Sequence, residues 1–301
     1  MPHRITTPSP SRAGLPGPAA ARMSERDLPD RIPASPLADG LDPPWPPRPD
    51  HRRVEVIGVP IHRVSAEQAR NTILGWAGSP AGRYVCLCNV HSVVTASHDT
   101  AFHEVLSQAD LALPDGAPVA WMMRSTGAPE QRRVSGPDLM LELCAQASLA
   151  GVPIFLYGST ESNLRALAQT LQARWPALQI AGWHAPPFRP ATEQEDQEDV
   201  RRIVESGARL VFVSLGCPKQ EAWMAAHRAR LPAVLLGVGA AFDFHSGRLS
   251  RAPALLRRLG LEWAHRLMQE PRRLGMRYAR TNTAFLWQAA RQLLRRQAGH
   301  S

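Results

Sequence analysis

The chain has 301 residues, 44% of them hydrophobic, and a formal net charge of +9. That length bounds it to one large α/β domain or two modest ones with a proper core, and no run of about 18 apolar residues occurs, which excludes an ordinary membrane-spanning helix. Residues 248–301 hold twelve arginines against Glu262 and Glu270, a net of +10, so the other 247 residues sum to about −1 and carry no basic surface signal for nucleic acid.

Residues 1–50 contain thirteen of the 28 prolines. Such a composition cannot bury enough apolar surface to fold, and a disordered Pro-rich arm is expected there. The arm has no apolar core of signal-peptide type, which points to the cytoplasm. The four cysteines agree: Cys86 and Cys88 lie two apart in an apolar run and read as small packed side chains, with Cys144 and Cys217 elsewhere.

From Val54 the pattern becomes that of an α/β domain over residues 51–247. A strand is expected over 54–61, then a helix over 65–77 with Ser65 and Gln68 spaced as a capping box. A strand over 84–90 precedes a helix over 100–108. A short strand over 111–116 leads into helices over 116–124 and 137–151, the latter with proline near its start and glycine after its end. Strand 153–160, helix 161–174, strand 178–183, helix 192–206, strand 209–216, helix 218–230 and strand 233–239 complete the alternation. Buried-type strands alternating with helices imply a Rossmann-like, mostly parallel sheet covered by helices on both faces.

Ligands of such sheets lie beyond the carboxyl ends of the strands. The residues there are Asn89, Asp115, Gly158, Gly216 to Glu221, and Gly237 to Asp243. In SLGCPKQE (214–221) Pro218 is expected to open a helix. Its first turn carries Lys219, the only lysine in the protein, and Gln220. Free N–H groups there suit a diphosphate, although an ordinary strand–helix junction has the same look. In LPDG (113–116) Asp115 fits a general base toward a hydroxyl or a helix cap equally well. RRVSGPD (132–138) offers Arg132 or Arg133 before a helix start, Asn89 suits a sugar or base, and Asp243 suits a ribose or uracil edge or a cap. His91 and His98 read as packing residues on a helix. The acidic run EQEDQED (193–199) reads as a solvated face rather than a metal site. No DxD motif occurs, so no metal or other cofactor is expected, and leaving-group charge falls to arginines and helix dipoles.

In the helical, basic tail over 248–301, Pro271 should end one helix and begin another. Arg273, Arg277, Arg280, Arg291 and Arg295 then fall within roughly one third of the circumference, with Trp287 among them. Such a helix suits an anionic membrane surface, and guanidinium matches phosphate bidentately.

Six ordered motifs together resemble the WecG/TagA/CpsF family of bacterial glycosyltransferases (glycosyltransferase family 26): CNVHSV (88–93), ADLALPDG (109–116), RVSGPDLM (133–140), SLGCPKQE (214–221), VGAAFDFHSGRLSRAP (238–253) and GLEWAHRLMQEPRRLGMRY (260–278). The resemblance implies inverting transfer of a hexose or N-acetylhexosamine from a UDP-sugar to a polyprenyl-diphosphate-linked saccharide. The setting would be peripheral, on the inner face of the cytoplasmic membrane. Asp115 would be the catalytic base. Asn89, Arg133, Gly158, Lys219, Gln220 and Asp243 would bind donor, and Arg266, Arg273 and Arg277 would hold the diphosphate of the donor or of the lipid acceptor. Family members often carry threonine where this chain has Leu87, and a tryptophan and a basic residue where it has Gly275 and Met276. The resemblance implies UDP-N-acetylmannosamine or UDP-glucose as donor, and the CNVHSV form resembles the exopolysaccharide branch, which suits glucose or another hexose. The rival reading is a non-catalytic nucleotide-sugar sensor or scaffold at the membrane. A homo-oligomer remains open, and no nucleic-acid partner is expected.

Overall fold

The computed structural model describes residues 53–258 and 260–298; the side chains of Ala254, Arg258 and Arg273 are not described. The Pro-rich arm expected over 1–50 lies outside these residues.

Eight strands and twelve helices are described. A six-stranded, wholly parallel sheet is built from β3 (Arg83–Cys88), β4 (Leu111–Pro114), β5 (Ile154–Gly158), β6 (Ile180–His184), β7 (Leu210–Ser214) and β8 (Val234–Gly237), in the order β4-β3-β8-β7-β5-β6. Register is set by pairs such as Val85 with Leu111 and Ile154 with Leu210. Alternate residues of each strand feed two separate cores. Leu210 and Phe212 of β7 join the first and Val211 and Val213 the second, and Cys86 and Cys88 both pack in the second. Burial on both faces explains the near-continuous apolar strands.

Helices α1 (Ala66–Ala77), α5 (Gly136–Ala150), α6 (Glu161–Arg174) and α9 (Ala241–His245) cover the first face. The second is covered by α2 (Val90–Ala96), α3 (Thr100–Ser107), α4 (Ala117–Ser125), α7 (Glu193–Glu205) and α8 (Lys219–His227). The Ser65–Gln68 capping box is present, and α5 ends at Gly151 in the left-handed region.

Three expectations are corrected. The strand over 54–61 is a hairpin, β1 (Arg53–Val56) and β2 (Val59–His62), forming a separate antiparallel pair. Its two-residue turn is Ile57–Gly58, both at positive φ; apolar Ile57 hid the turn in the pattern. The acidic run is not simply solvated. Asp199 is buried, accepting from the Tyr157 hydroxyl at 2.6 Å and pairing with His184 at 3.0 Å, while Asp196 pairs with His227 at 2.7 Å. Pro218 stands one position ahead of α8, as its N-cap rather than its first residue.

The tail forms α10 (Ala254–Arg258), α11 (Glu262–Gln269) and α12 (Pro271–Ala298), with Pro271 opening the last as expected. The distal half of α12 is anchored. Phe285 and Ala289 enter the second core, and Gln292 accepts from Ile57 N–H and donates to the Glu55 carbonyl, both at 2.8 Å.

Candidate active site

The loops leaving β3 and β7 turn to α2 and α8 on one face, whereas those leaving β5 and β8 turn to α6 and α9 on the other. Diverging connections open a crevice across the carboxyl ends of the strands. Asn89, Asp115, Gly158, Gln220 and Asp243 all come to this edge.

Asn89 caps α2: its Oδ1 accepts from the N–H groups of His91 at 3.0 Å and Ser92 at 3.2 Å. The oxygen is thereby occupied, and the amide nitrogen is the group left to donate. Gln220 is buried on the first turn of α8, its Nε2 donating to Glu221 at 2.9 Å while its buried Oε1 has no hydrogen-bond partner in the protein. That orphaned acceptor faces Gly239 after β8, and an unsatisfied buried carbonyl costs enough that a bound donor group is its natural complement. Burial raises the Glu221 carboxyl above its ordinary range. Lys219 beside it is exposed.

Asp243 is oriented by a neighbour outside the sequence expectations. Asn163, on the first turn of α6, donates to Asp243 Oδ1 at 3.2 Å and to Ser159 Oγ at 2.8 Å, and accepts from Ser246 at 2.5 Å. Its signal was its place just past a strand end, masked by residues typical of a helix start. Gly158 closes β5 at φ +110 against Ser214.

Asp115 follows edge strand β4, beside the end of β3 that carries Asn89. Its N–H donates to the Cys88 carbonyl at 2.9 Å, and its carboxylate accepts from Gly136 N–H. Burial, reinforced by the nearby Glu262 charge, pushes its carboxyl up to about 6; Arg133 and the Gly136 bond oppose this but do not win. A carboxylate tuned there suits proton abstraction near neutrality. It does not cap α4, which has no side-chain cap. Leu87 packs beneath: a Cβ on Gly136 would lie 2.6 Å from Leu87 Cδ1.

Glu262 also escaped the sequence reading, though one of two carboxylates among twelve arginines was itself a signal. It accepts from Arg133 at 3.1 Å and pairs with Arg251 at 3.4 Å; Arg251 in turn bonds Asp138 at 2.6 Å. This chain of charges ties the start of α11 to α5. It places Arg133 beside the base.

Arg266 stacks over the Phe244 ring at 5.7 Å and pairs with Glu270 at 3.5 Å. Arg277 lies near His91 and Cys217: His91, which bonds the Cys217 backbone, is lowered first by burial and then by the Arg277 charge. The Arg277 Nε is buried without a hydrogen-bond partner. The side chain of Arg273 lies outside the described residues. Among the described residues no three His, Cys, Asp or Glu side chains cluster to hold a metal, and no helix is long and apolar enough to cross a membrane.

Residues 54–299 match the profile described as "Glycosyl transferase WecG/TagA/CpsF family". The chain is similar to the N-acetylglucosaminyldiphosphoundecaprenol N-acetyl-beta-D-mannosaminyltransferase of Bacillus subtilis (strain 168), with 33% identity over 191 residues, 63% of this chain and 73% of that one. A protein of the same name from Bacillus spizizenii (strain ATCC 23059 / NRRL B-14472 / W23) is 32% identical over 193 residues, 64% and 73% of the two chains.

Proposed function

The chain belongs to the Glycosyl transferase WecG/TagA/CpsF family and is a glycosyltransferase, and from that membership we propose that it moves a hexose or N-acetylhexosamine from a UDP-sugar to a polyprenyl-diphosphate-linked saccharide with inversion. The names of the two relatives favour N-acetylmannosamine as the sugar and an N-acetylglucosaminyl diphospholipid as the acceptor; UDP-glucose is the competing donor. The reaction would serve bacterial cell-surface polysaccharide synthesis.

The observation that carries the reading is Asp115, a carboxyl raised to about 6 at the carboxyl edge of the sheet. It takes the proton of the acceptor hydroxyl as that oxygen attacks the anomeric carbon. The carbon–oxygen bond to the β-phosphate breaks on the opposite side, and UDP leaves with the electron pair. Asn89, Gln220 and Asp243 hold the nucleotide. Arg266, Arg273 and Arg277 neutralise charge developing on the leaving diphosphate, a role open to arginine because bidentate pairing and fixed charge need no metal. A pure sensor has no use for a base poised at this pKa, which disfavours the non-catalytic alternative.

The direct test is radiolabel transfer from a panel of UDP-sugars to polyprenyl-diphosphate acceptors with EDTA present. Product from one donor names the sugar and supports metal-free chemistry; loss of product on chelation removes that part of the reading.

Glu262→Gln tests the electrostatics. One of the charges that raise Asp115 disappears, so the acidic limb of kcat/KM should move to lower pH. Arg133 and Arg251 lose an ionic partner, at a stability cost on the order of 1–2 kcal/mol. An unmoved limb would mean that Glu262 does not act on the base.

The working place is assigned to the inner face of the cytoplasmic membrane. Exposed Trp263, Met268, Met276, Leu286 and Trp287 stand among exposed Arg272, Arg280 and Arg291 on α11 and α12. Apolar side chains interleaved with fixed positive charge fit an anionic bilayer surface. Changing Leu286 and Trp287 together to serine should release the protein from phosphatidylglycerol vesicles in flotation and leave UDP affinity unchanged. Retained flotation would place the membrane face elsewhere.

A further inference from the structure

A cavity of about 490 Å³ lies against α4, the helix that follows Asp115, where the tail meets it. Four arginines, Arg124, Arg132, Arg133 and Arg257, and no acidic residue are among those that line it. Ala117 on α4, two residues past Asp115, and Gly260 of the tail close it. The two walls touch: a Cβ on Gly260, at φ +74, would sit 2.6 Å from Ala117 Cβ. This close approach of tail to domain is therefore built for glycine.

The arginines are only partly compensated. Arg133 is paired with Glu262, and Arg124 donates to the Gln131 carbonyl at 3.0 Å. Arg257 reaches Asp138 only at 3.8 Å, and its buried Nε has no hydrogen-bond partner. Arg132 makes no ion pair among the described residues. With Arg133 neutralised by Glu262 and Arg257 only loosely held, the cavity keeps an excess of positive charge that suits an anion, and its volume falls in the range of small-ligand sites.

The sheet order says which anion. Asn89, Gln220, Gly158 and Asp243 follow β3, β7, β5 and β8, whereas Asp115 follows edge strand β4 and the cavity lies against α4 beyond it. The base must touch the acceptor hydroxyl, so the acceptor sugar lies at Asp115 with the donor on its inner side. The other end of that sugar then points outward, over α4. We propose that this arginine cavity receives the diphosphate of the lipid-linked acceptor, with Arg132 and Arg257 as its principal contacts. This rests on the transferase reading and adds Arg124, Arg132 and Arg257 to it, separating the acceptor's phosphates from those of the leaving UDP.

The experiment uses the full chain saturated with UDP, so that the nucleotide crevice is filled, and titrates inorganic pyrophosphate calorimetrically. The wild-type protein should bind pyrophosphate, and an R132Q/R257Q double variant should bind it about tenfold or more weakly, the ratio expected for losing a charge-assisted hydrogen bond. UDP affinity, read on the same proteins, reports that the variant is folded and should stay within about twofold. In transfer assays the KM for the polyprenyl-diphosphate acceptor should rise while that for the UDP-sugar holds. Equal pyrophosphate binding by the two proteins overturns the proposal. So does loss of UDP affinity in a variant that unfolds at the wild-type temperature, which would give the cavity to the donor. Loss of flotation with phosphatidylglycerol vesicles while pyrophosphate binding persists would give it to a lipid headgroup and also overturn it. Failure of the transferase reading shows separately, as a wild-type protein that forms no product from any donor.

Discussion

Asp115→Asn should abolish transfer and, at neutral pH, make the protein more stable. General-base catalysis contributes about 10²–10⁴ in rate, and an amide cannot accept the proton. The stability gain follows from the same environment. The folded protein holds the Asp115 carboxyl at about 6 against an ordinary 3.8, so the native state binds its proton more tightly than the unfolded chain. Stability then falls as pH rises between these values, and the full cost is present above about 6. Asparagine carries no charge to desolvate or to meet Glu262, and its Oδ1 can still accept from Gly136 N–H. After allowance for solvent screening at a partly exposed group, the gain at pH 7.5 is on the order of 1 kcal/mol, a rise of about 2–4 °C in Tm for a chain of this size. It should vanish near pH 4, where the wild-type carboxyl is itself protonated. The checks are product formation, UDP affinity and melting at both pH values. An active asparagine variant would remove Asp115 from the chemistry. An inactive one with no pH-dependent difference in Tm would leave it in the site and refute the raised carboxyl.

The fold was legible because its strands are buried on both faces. Runs such as LVFVS over 210–214 have no amphipathic alternation to confuse with a surface hairpin, and glycine, proline and cap signals punctuate the helices between them. The strand-end rule then brought Asn89, Asp115, Gln220 and Asp243 to one edge without any distance being known. It failed where local residues imitate something else. Ile57 in a tight turn reads as strand, and Asp199 in an acidic run reads as surface until Tyr157 and His184 are seen beside it. Long-range charge partners were the least legible class. Arg133 and Glu262 are 129 residues apart and meet at 3.1 Å only because α11 folds back onto the start of α5. Periodicity has no access to such a meeting. The tail therefore looked like a uniform basic helix, whereas Arg251 and Arg257 work at its root and the exposed arginines lie farther along.

Gly158→Ala should be among the most damaging single changes in the domain. Gly158 pairs with Ser214 at the carboxyl end of two neighbouring inner strands. Its φ is +110, and an added Cβ would lie 2.4 Å from the Ser214 carbonyl oxygen and 2.6 Å from its carbon. Those are backbone atoms held by the ladder, so no side chain can swing aside. The next residue, Ser159, has its N–H bonded to the same carbonyl at 3.0 Å and its hydroxyl on Asn163, which orients Asp243. Backbone strain of about 1–3 kcal/mol and overpacking of about 1–3 kcal/mol therefore add at one point, and the displacement passes directly to Asp243. Expected results are a Tm fall of about 10 °C or loss of folded protein, with weakened UDP binding in whatever remains. Gly207→Ala is the matched control, since Gly207 also has positive φ, +70, but nothing within 4 Å of the added carbon; it should cost only about 1 kcal/mol. Comparing the two separates the steric clash from the dihedral. If Gly158→Ala melts with the control yet loses UDP, the glycine's role is to let the donor approach, and strand packing is not what selects it.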